Sequence, residues 1–261
     1  MANYYEDKRV SSTEIRTLAT QGARGLVNYL TTESEPTPAM IFGTLVHALV
    51  LEPGEVVKRY YTMPKIDGRT KEGKEAKAKA LAEAGDKTIV DEETFARAQA
   101  VAREVSPFVG GAALETGDLR EAEFYTETCK AKPDAVDESA GTVFDIKTTA
   151  AFDTAPKTVW TLRYDLQAGH YCNVLAANGV NVEKFVFVFA ETTAPFRVRE
   201  IIFAGDVLAL AKREAEMWAI DAQAVKVKEQ KLEEVAQDTP EIYASYPDWV
   251  RLQTVKTEEE F

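Results

Sequence analysis

Cysteine is nearly missing from this chain: Cys129 and Cys172 are the only two in 261 residues. They lie far apart and neither sits in a CxxC pair, so no zinc site or disulfide framework is suggested. A four-thiolate iron–sulfur cluster is excluded within the chain for want of ligands. Two small apolar side chains is the simpler reading. No apolar run approaches the roughly 20 residues needed to cross a bilayer. The opening stretch "MANYYEDKRV" lacks the apolar core of a secretory signal, so a cytoplasmic location and no membrane contact are expected. Positive charge is outnumbered, with a formal net charge of −12. That balance argues against a surface coated in positive potential and confines any nucleic-acid contact to a local basic surface or channel.

What is present is ordinary for a globular chain, with 45% hydrophobic and 28% charged residues. The length suffices for one large or two small domains with a sizeable core. No internal repeat and no clear domain boundary is visible. Residues 57–79, "VKRYYTMPKIDGRTKEGKEAKAK", carry eight basic residues against three acidic ones, a local excess of five in an acidic chain. This stretch reads either as a nucleic-acid contact or as a solvated loop and helix face.

Ser11 and Glu14 in "SSTE" fit a capping box that opens a helix toward Ala19. A second helical piece is expected from Ala23 to Leu30, broken by "TTESEPTP". "AMIFGTLVHALVLEP" reads as an apolar helix stopped by Pro53, with His47 among Leu45, Val46, Leu49 and Val50. The Gly- and Lys-rich stretch 64–79 reads as a mobile connection running into a helix, and Asp91 caps another through about Val105. Then the period changes. "EAEFYTETCKAKPDAVD" and "GTVFDIKTT" are aromatic and β-branched, with "ESAG" as the turn between them. Residues 154–178 return to helix, "VEKFVFVFAET" and "FRVREIIFA" form a strand pair, and a helix runs from Asp206 to about Gln237 before a polar tail. This order predicts a mixed α/β or α+β chain with a small sheet.

Asp134 follows Pro133 near the head of one strand, and Asp145 and Lys147 are two apart on the next, hence on one face. A short hairpin brings Asp134 alongside them. Hard carboxylate oxygens suit Mg²⁺ or Mn²⁺, and an ammonium beside them can position a water and stabilise phosphate charge. A hairpin with an exposed ion pair is the alternative. Around this group stand His47 on an upstream helix, Glu123 on the preceding strand, and "KTT" directly after Lys147. Glu121, Tyr125 and Glu127 share the strand face of Glu123. Gln167 and Tyr171 in "QAGHY" are four apart on a helix and so on one face, whereas His170 is one position off it and reads as structural.

Pro133-Asp134 followed by Asp145-Ile146-Lys147 matches the PD-(D/E)XK nuclease pattern. Together with "SSTEIRTL", "FGTLVHALVLEP", "KAKPDAVD", "FDIKTT" and "QAGHY", it resembles the RecE-type phage and prophage exonucleases (exodeoxyribonuclease VIII-like), which share these elements with RecB-family nuclease domains. The resemblance covers roughly residues 11–178; the C-terminal third matches only in its order of strand and helix. It implies an α+β fold with a restriction-endonuclease-like core, a small mixed central sheet flanked by helices. One nuclease domain over residues 1–261 is expected: a mainly helical part over 1–110, the sheet core over 111–205, and a C-terminal helix and polar tail over 206–261.

The resemblance further implies a Mg²⁺-dependent deoxyribonuclease degrading double-stranded DNA from its ends, 5′ to 3′. Such an enzyme works beside a RecT-like single-strand annealing protein in phage recombination, in the host cytoplasm. A ring-shaped homo-oligomer, with a tetramer favoured, is implied as well. Carried over residue by residue, Asp134 and Asp145 become metal ligands helped by the Ile146 carbonyl, and His47 a ligand or a group beside the metal. Lys147 becomes the catalytic lysine, Glu123 a further acidic member of the site, and Gln167 and Tyr171 the pair that holds the DNA strand. Two Mg²⁺ ions per site are expected, with Mn²⁺ able to substitute. Lys132 stands where the family commonly has arginine, so a DNA contact there lacks the bidentate fork. Two rivals stay open: a PD-(D/E)XK endonuclease with identical site residues, and a non-catalytic DNA-end-binding protein on the same fold.

Overall fold

A computed structural model describes residues 4–67, 69–109 and 119–227. Ser11 caps helix α1 (Ser12–Thr31) as expected: its hydroxyl accepts the Glu14 N–H, and the Glu14 carboxylate accepts the Ser11 N–H at 2.7 Å. At Gly22 the backbone turns to φ 72°, ψ −178°, open only to glycine, and this bend produces the two helical pieces. Helix α2 (Pro38–Leu51) starts on a Thr37 cap with Pro38 in its first turn.

A short α3 (Val56–Arg59) leads into strand β1 (Tyr60–Met63), and α4 (Lys71–Ala84) crosses over to β2 (Thr88–Asp91), which pairs parallel to β1. These two strands were not expected. Each has four residues and one buried side chain, Tyr60 or Val90, too short to show an alternation. Lys71, Lys74, Lys77 and Lys79 are exposed on α4. Carboxylates outside the basic stretch answer part of its charge: Glu55 lies 2.6 Å from Lys58, Glu52 makes two bonds to Arg59, and Glu83 is 3.8 Å from Lys79. Counting these three, the local excess falls from five to two. Helix α5 (Glu92–Val105) follows, capped by Asp91.

The strands expected within "EAEFYTETCKAKPDAVD" are three short ones, β3 (Phe124–Tyr125), β4 (Lys130–Ala131) and β5 (Ala135–Asp137). A turn over 138–141 joins β5 to β6 (Thr142–Thr149). The helical stretch 154–178 is likewise two helices, α6 (Ala155–Thr161) and α7 (Tyr164–Ala177), divided where Arg163 adopts a left-handed φ of 51°. Strands β7 (Lys184–Glu191) and β8 (Val198–Ala204) precede α8 (Gly205–Val227). The portion of that helix expected beyond Val227 lies outside the described residues.

The main sheet has the order β5-β6-β7-β8, with β6 parallel to β7 and the outer pairs antiparallel. Helices cover both faces. Phe144, Ile146, Val186 and Val188 pack toward α2 and α5, while Val143, Phe185, Phe187 and Phe203 pack toward α6 and α7. Burial on both faces explains why β7 reads as the unbroken apolar run "FVFVFA". This is the small mixed sheet flanked by helices that the resemblance implies.

Both cysteines are free thiols; Cys172 is buried and its thiol is pushed up to about 12 by desolvation, in keeping with a packing role. His170 is 2% exposed, and its Nε2 lies 2.9 Å from the Lys130 carbonyl oxygen. Burial outweighs the carbonyls of Lys130 and Val10 and lowers its pKa to about 4. Below the unfolded value near 6.5 the unfolded chain takes up a proton that the folded ring refuses, so stability falls as pH drops from about 6.5 to 4. The loss approaches about 3 kcal/mol. Chemical denaturation across that range should show this slope in the wild type and a shallower one in His170→Gln; equal slopes would refute the assignment.

Candidate active site

The site forms where β5 stops. Its first residue, Ala135, pairs with Phe144, so β6 beyond that point has no ladder partner on this edge. The Ile146 N–H and C=O therefore turn to side chains: the N–H donates to Asp134 Oδ2 at 2.6 Å, and the carbonyl oxygen lies 3.0 Å from His47 Nε2. The other imidazole nitrogen, Nδ1, is 3.2 Å from Asp134 Oδ1. Strand alternation sends Phe144 and Ile146 into the core and leaves Asp145 and Lys147 on the α7 face. There Gln167 Nε2 donates to Asp145 Oδ1 at 2.5 Å, and the Lys147 ammonium sits 2.5 Å from Asp145 Oδ2. That ammonium also lies over the Tyr164 ring, 4.8 Å from its centroid.

The acidic partner from the preceding segment is Glu121, not the expected Glu123. The shared strand face would require a strand reaching back to 121, but β3 begins at Phe124. Glu121 instead adopts a left-handed φ of 51°, with its N–H donating to the Asp134 carbonyl at 3.0 Å. Such a backbone costs about 1 kcal/mol at a non-glycine residue. The result is that one ligand atom each from His47, Glu121 and Asp134 lie within 4.8 Å of one another. Glu123 is exposed and accepts the Tyr125 hydroxyl at 2.8 Å, and Glu127 is exposed as well. Lys132 lies 2.9 Å from Glu121 Oε2. Tyr171 is buried beside the site, next to Ser12.

Each of the three carboxylates thus has its own cation: His47 for Asp134, Lys147 for Asp145, Lys132 for Glu121. Burial disfavours a charged His47 ring, but the Asp134 charge and hydrogen bond overcome it and raise its pKa to about 9. Burial works against the Asp134 charge too, yet His47, Lys147 and the Ile146 N–H hold its carboxyl below the usual range. Asp145 goes the other way, raised by burial and by the neighbouring Asp134 charge despite Lys147. Two carboxylates in one dry pocket are costly to ionise together unless a further positive charge arrives.

The donor set is two buried carboxylates, a half-buried one, an imidazole and a carbonyl, which suits a hard divalent cation. One buried carboxylate oxygen already holds a cation: Asp145 Oδ2 has the Lys147 ammonium 2.5 Å away. His47 must lose its proton before it can ligate.

The site opens into a cleft of about 1160 Å³ lined by Tyr5, Tyr29, Glu121, Lys132, Asp134 and Tyr171, among others. The N-terminal segment borders it, held by the buried Lys130 ammonium, which donates to the carbonyls of Tyr4 (2.7 Å) and Asp7 (2.6 Å). No helix among the described residues is long and apolar enough to cross a membrane.

Residues 8–238 match the model of a family described as a PDDEXK-like domain of unknown function, DUF3799. Among solved structures, a candidate exonuclease from Eubacterium rectale is similar at a TM-score of 0.59 and 14% identity, covering 88% of each chain. A phage-related exonuclease from Haemophilus somnus 129PT is similar at a TM-score of 0.37 and 10% identity, covering 85% of this chain and 96% of the other. No curated protein matches the chain.

Proposed function

Because the chain belongs to the PDDEXK-like family matched over residues 8–238, we propose that it is a Mg²⁺- or Mn²⁺-dependent deoxyribonuclease, a 5′→3′ exonuclease on double-stranded DNA. The observation that carries this reading is the meeting of His47, Glu121 and Asp134, whose ligand atoms lie within 4.8 Å of one another, beside the buried Asp145–Lys147 pair. Asp134, Asp145, Glu121, His47 and the Ile146 carbonyl would hold the metal, with two ions per site expected. When bound, a divalent ion there supplies Lewis-acid polarisation of the scissile phosphate and lowers the pKa of water. The chain's own residues do the rest. Lys147, whose ammonium is kept protonated by Asp145 against the effect of burial, donates to phosphate oxygen as negative charge builds there. Gln167 fixes the Asp145 carboxylate through Oδ1, and Tyr171 and Lys132 line the path of the strand. Hydrolysis leaves a 5′-phosphate.

Attack from DNA ends, a ring-shaped tetramer and a RecT-like annealing partner extend this reading, supported by the resemblance in "FDIKTT", "QAGHY" and the upstream motifs. A buried site fed through a cleft favours a terminus over the middle of a duplex. In Mg²⁺, linear plasmid should be digested progressively to mononucleotides while the covalently closed form is spared. Rapid linearisation of the closed circle would instead establish the endonuclease.

A further inference from the structure

Helix α1 packs beside α7, and each presents one pair of polar residues four positions apart: Ser12 and Arg16 on one, Gln167 and Tyr171 on the other. The pairs meet member by member. The buried Ser12 lies beside the Tyr171 hydroxyl, and Arg16 Nη1 donates to Gln167 Oε1 at 3.5 Å. Arg16 is itself fixed, with Nε donating to the Leu162 carbonyl at 2.8 Å and its guanidinium 4.3 Å from the Tyr164 ring centroid. That same ring carries the Lys147 ammonium.

We propose that Ser12 and Arg16 are positioning residues, α1 acting as a template that sets Gln167 and Tyr171 for the site. The chemistry lies in the two unlike ends of the glutamine amide. With Arg16 on Oε1, Gln167 must present its Nε2 donor to Asp145; without Arg16 the amide can turn and oppose oxygen to carboxylate. Arg16 thus reaches Asp145 through Gln167, and steadies Lys147 through Tyr164. Lysine cannot reproduce this, having no planar fork to stack on the ring while donating in two directions.

The consequence for catalysis rests on the deoxyribonuclease reading; the packing logic does not. Arg16→Met keeps an unbranched apolar side chain at this position and removes the guanidinium donors. It should lower kcat on linear duplex, and weaken Mn²⁺ binding measured by calorimetry without DNA, by about 10- to 100-fold, as loss of an outer partner does. DNA Kd in Ca²⁺ should stay within about threefold, a change below 1 kcal/mol. In a Gln167→Ala background, Arg16→Met should add less than about twofold to either loss, because the route through Gln167 is already cut. Arg16→Lys should rescue little, and Ser12→Ala should add nothing in a Tyr171→Phe background. Melting temperatures of all variants check that folding is retained. Full additivity in the double variants, or a loss confined to DNA Kd, would overturn the proposal. An Arg16→Met protein equal to wild type would do the same and leave the nuclease reading standing. A wild type that neither cleaves DNA nor binds Mn²⁺ would instead remove the nuclease reading.

Discussion

Asp134→Asn should abolish DNA cleavage in Mg²⁺ or Mn²⁺, a loss of at least about 10³-fold, while the protein stays folded. The magnitude follows from the several kcal/mol that a bound cation contributes to transition-state charge, at 1.36 kcal/mol per tenfold. Asp134 is where the helix α2 imidazole, the β6 backbone and the preceding segment meet. It accepts the Ile146 N–H, faces His47, and lies in the group of candidate ligand atoms with Glu121. The amide should nonetheless fit the metal-free fold. Its oxygen can still accept the Ile146 N–H, and its NH₂ can donate to a His47 ring that no longer needs a second proton, since the Asp134 charge was the main influence raising that ring. Because each carboxylate already has a cation beside it, removing one brings no large relief of repulsion. Initial rates together with thermal melts decide: near-wild-type cleavage by a folded Asp134→Asn would overturn the assignment.

Lys147→Met should lower kcat by about 10²- to 10³-fold, the usual cost of removing a donor aimed at developing negative charge. Mn²⁺ binding should be kept or strengthened, because Asp145 Oδ2 loses the cation that lies 2.5 Å away. The metal-free variant should be less stable, since the buried Asp145 is left with Gln167 as its remaining partner among those described here, and added Mn²⁺ should restore part of the loss. Single-turnover cleavage, calorimetry and melts with and without Mn²⁺ separate these effects. Weakened DNA affinity at unchanged turnover would make Lys147 a phosphate grip and nothing more.

The parts of this site that the sequence makes legible are those fixed by short-range periodicity. Asp145 and Lys147 two apart on a strand, and Gln167 and Tyr171 four apart on a helix, each imply a shared face whatever the rest of the chain does. The hairpin through "ESAG" then brings Asp134 to the Ile146 N–H. Glu121 was hidden by a backbone choice: alternation along an assumed strand favoured Glu123, and a left-handed φ at a glutamate leaves no mark in composition. Arg16 in "SSTEIRTL" carries no local mark of its role, because that role depends on which helix α1 packs against, a long-range fact. Its spacing from Ser12, the same as that of Gln167 from Tyr171, was the available signal. β1 and β2 were missed because four residues with one buried side chain carry no period. The basic stretch looked more positive than it is because Glu52, Glu55 and Glu83 lie just outside it.

The most direct test of the central claim is release of acid-soluble nucleotide from linear duplex DNA by the purified chain, with Mg²⁺ and with EDTA. The site described here predicts steady release in Mg²⁺ and none in EDTA. Equal release in both, or none in Mg²⁺ or Mn²⁺ from a folded protein, would contradict it.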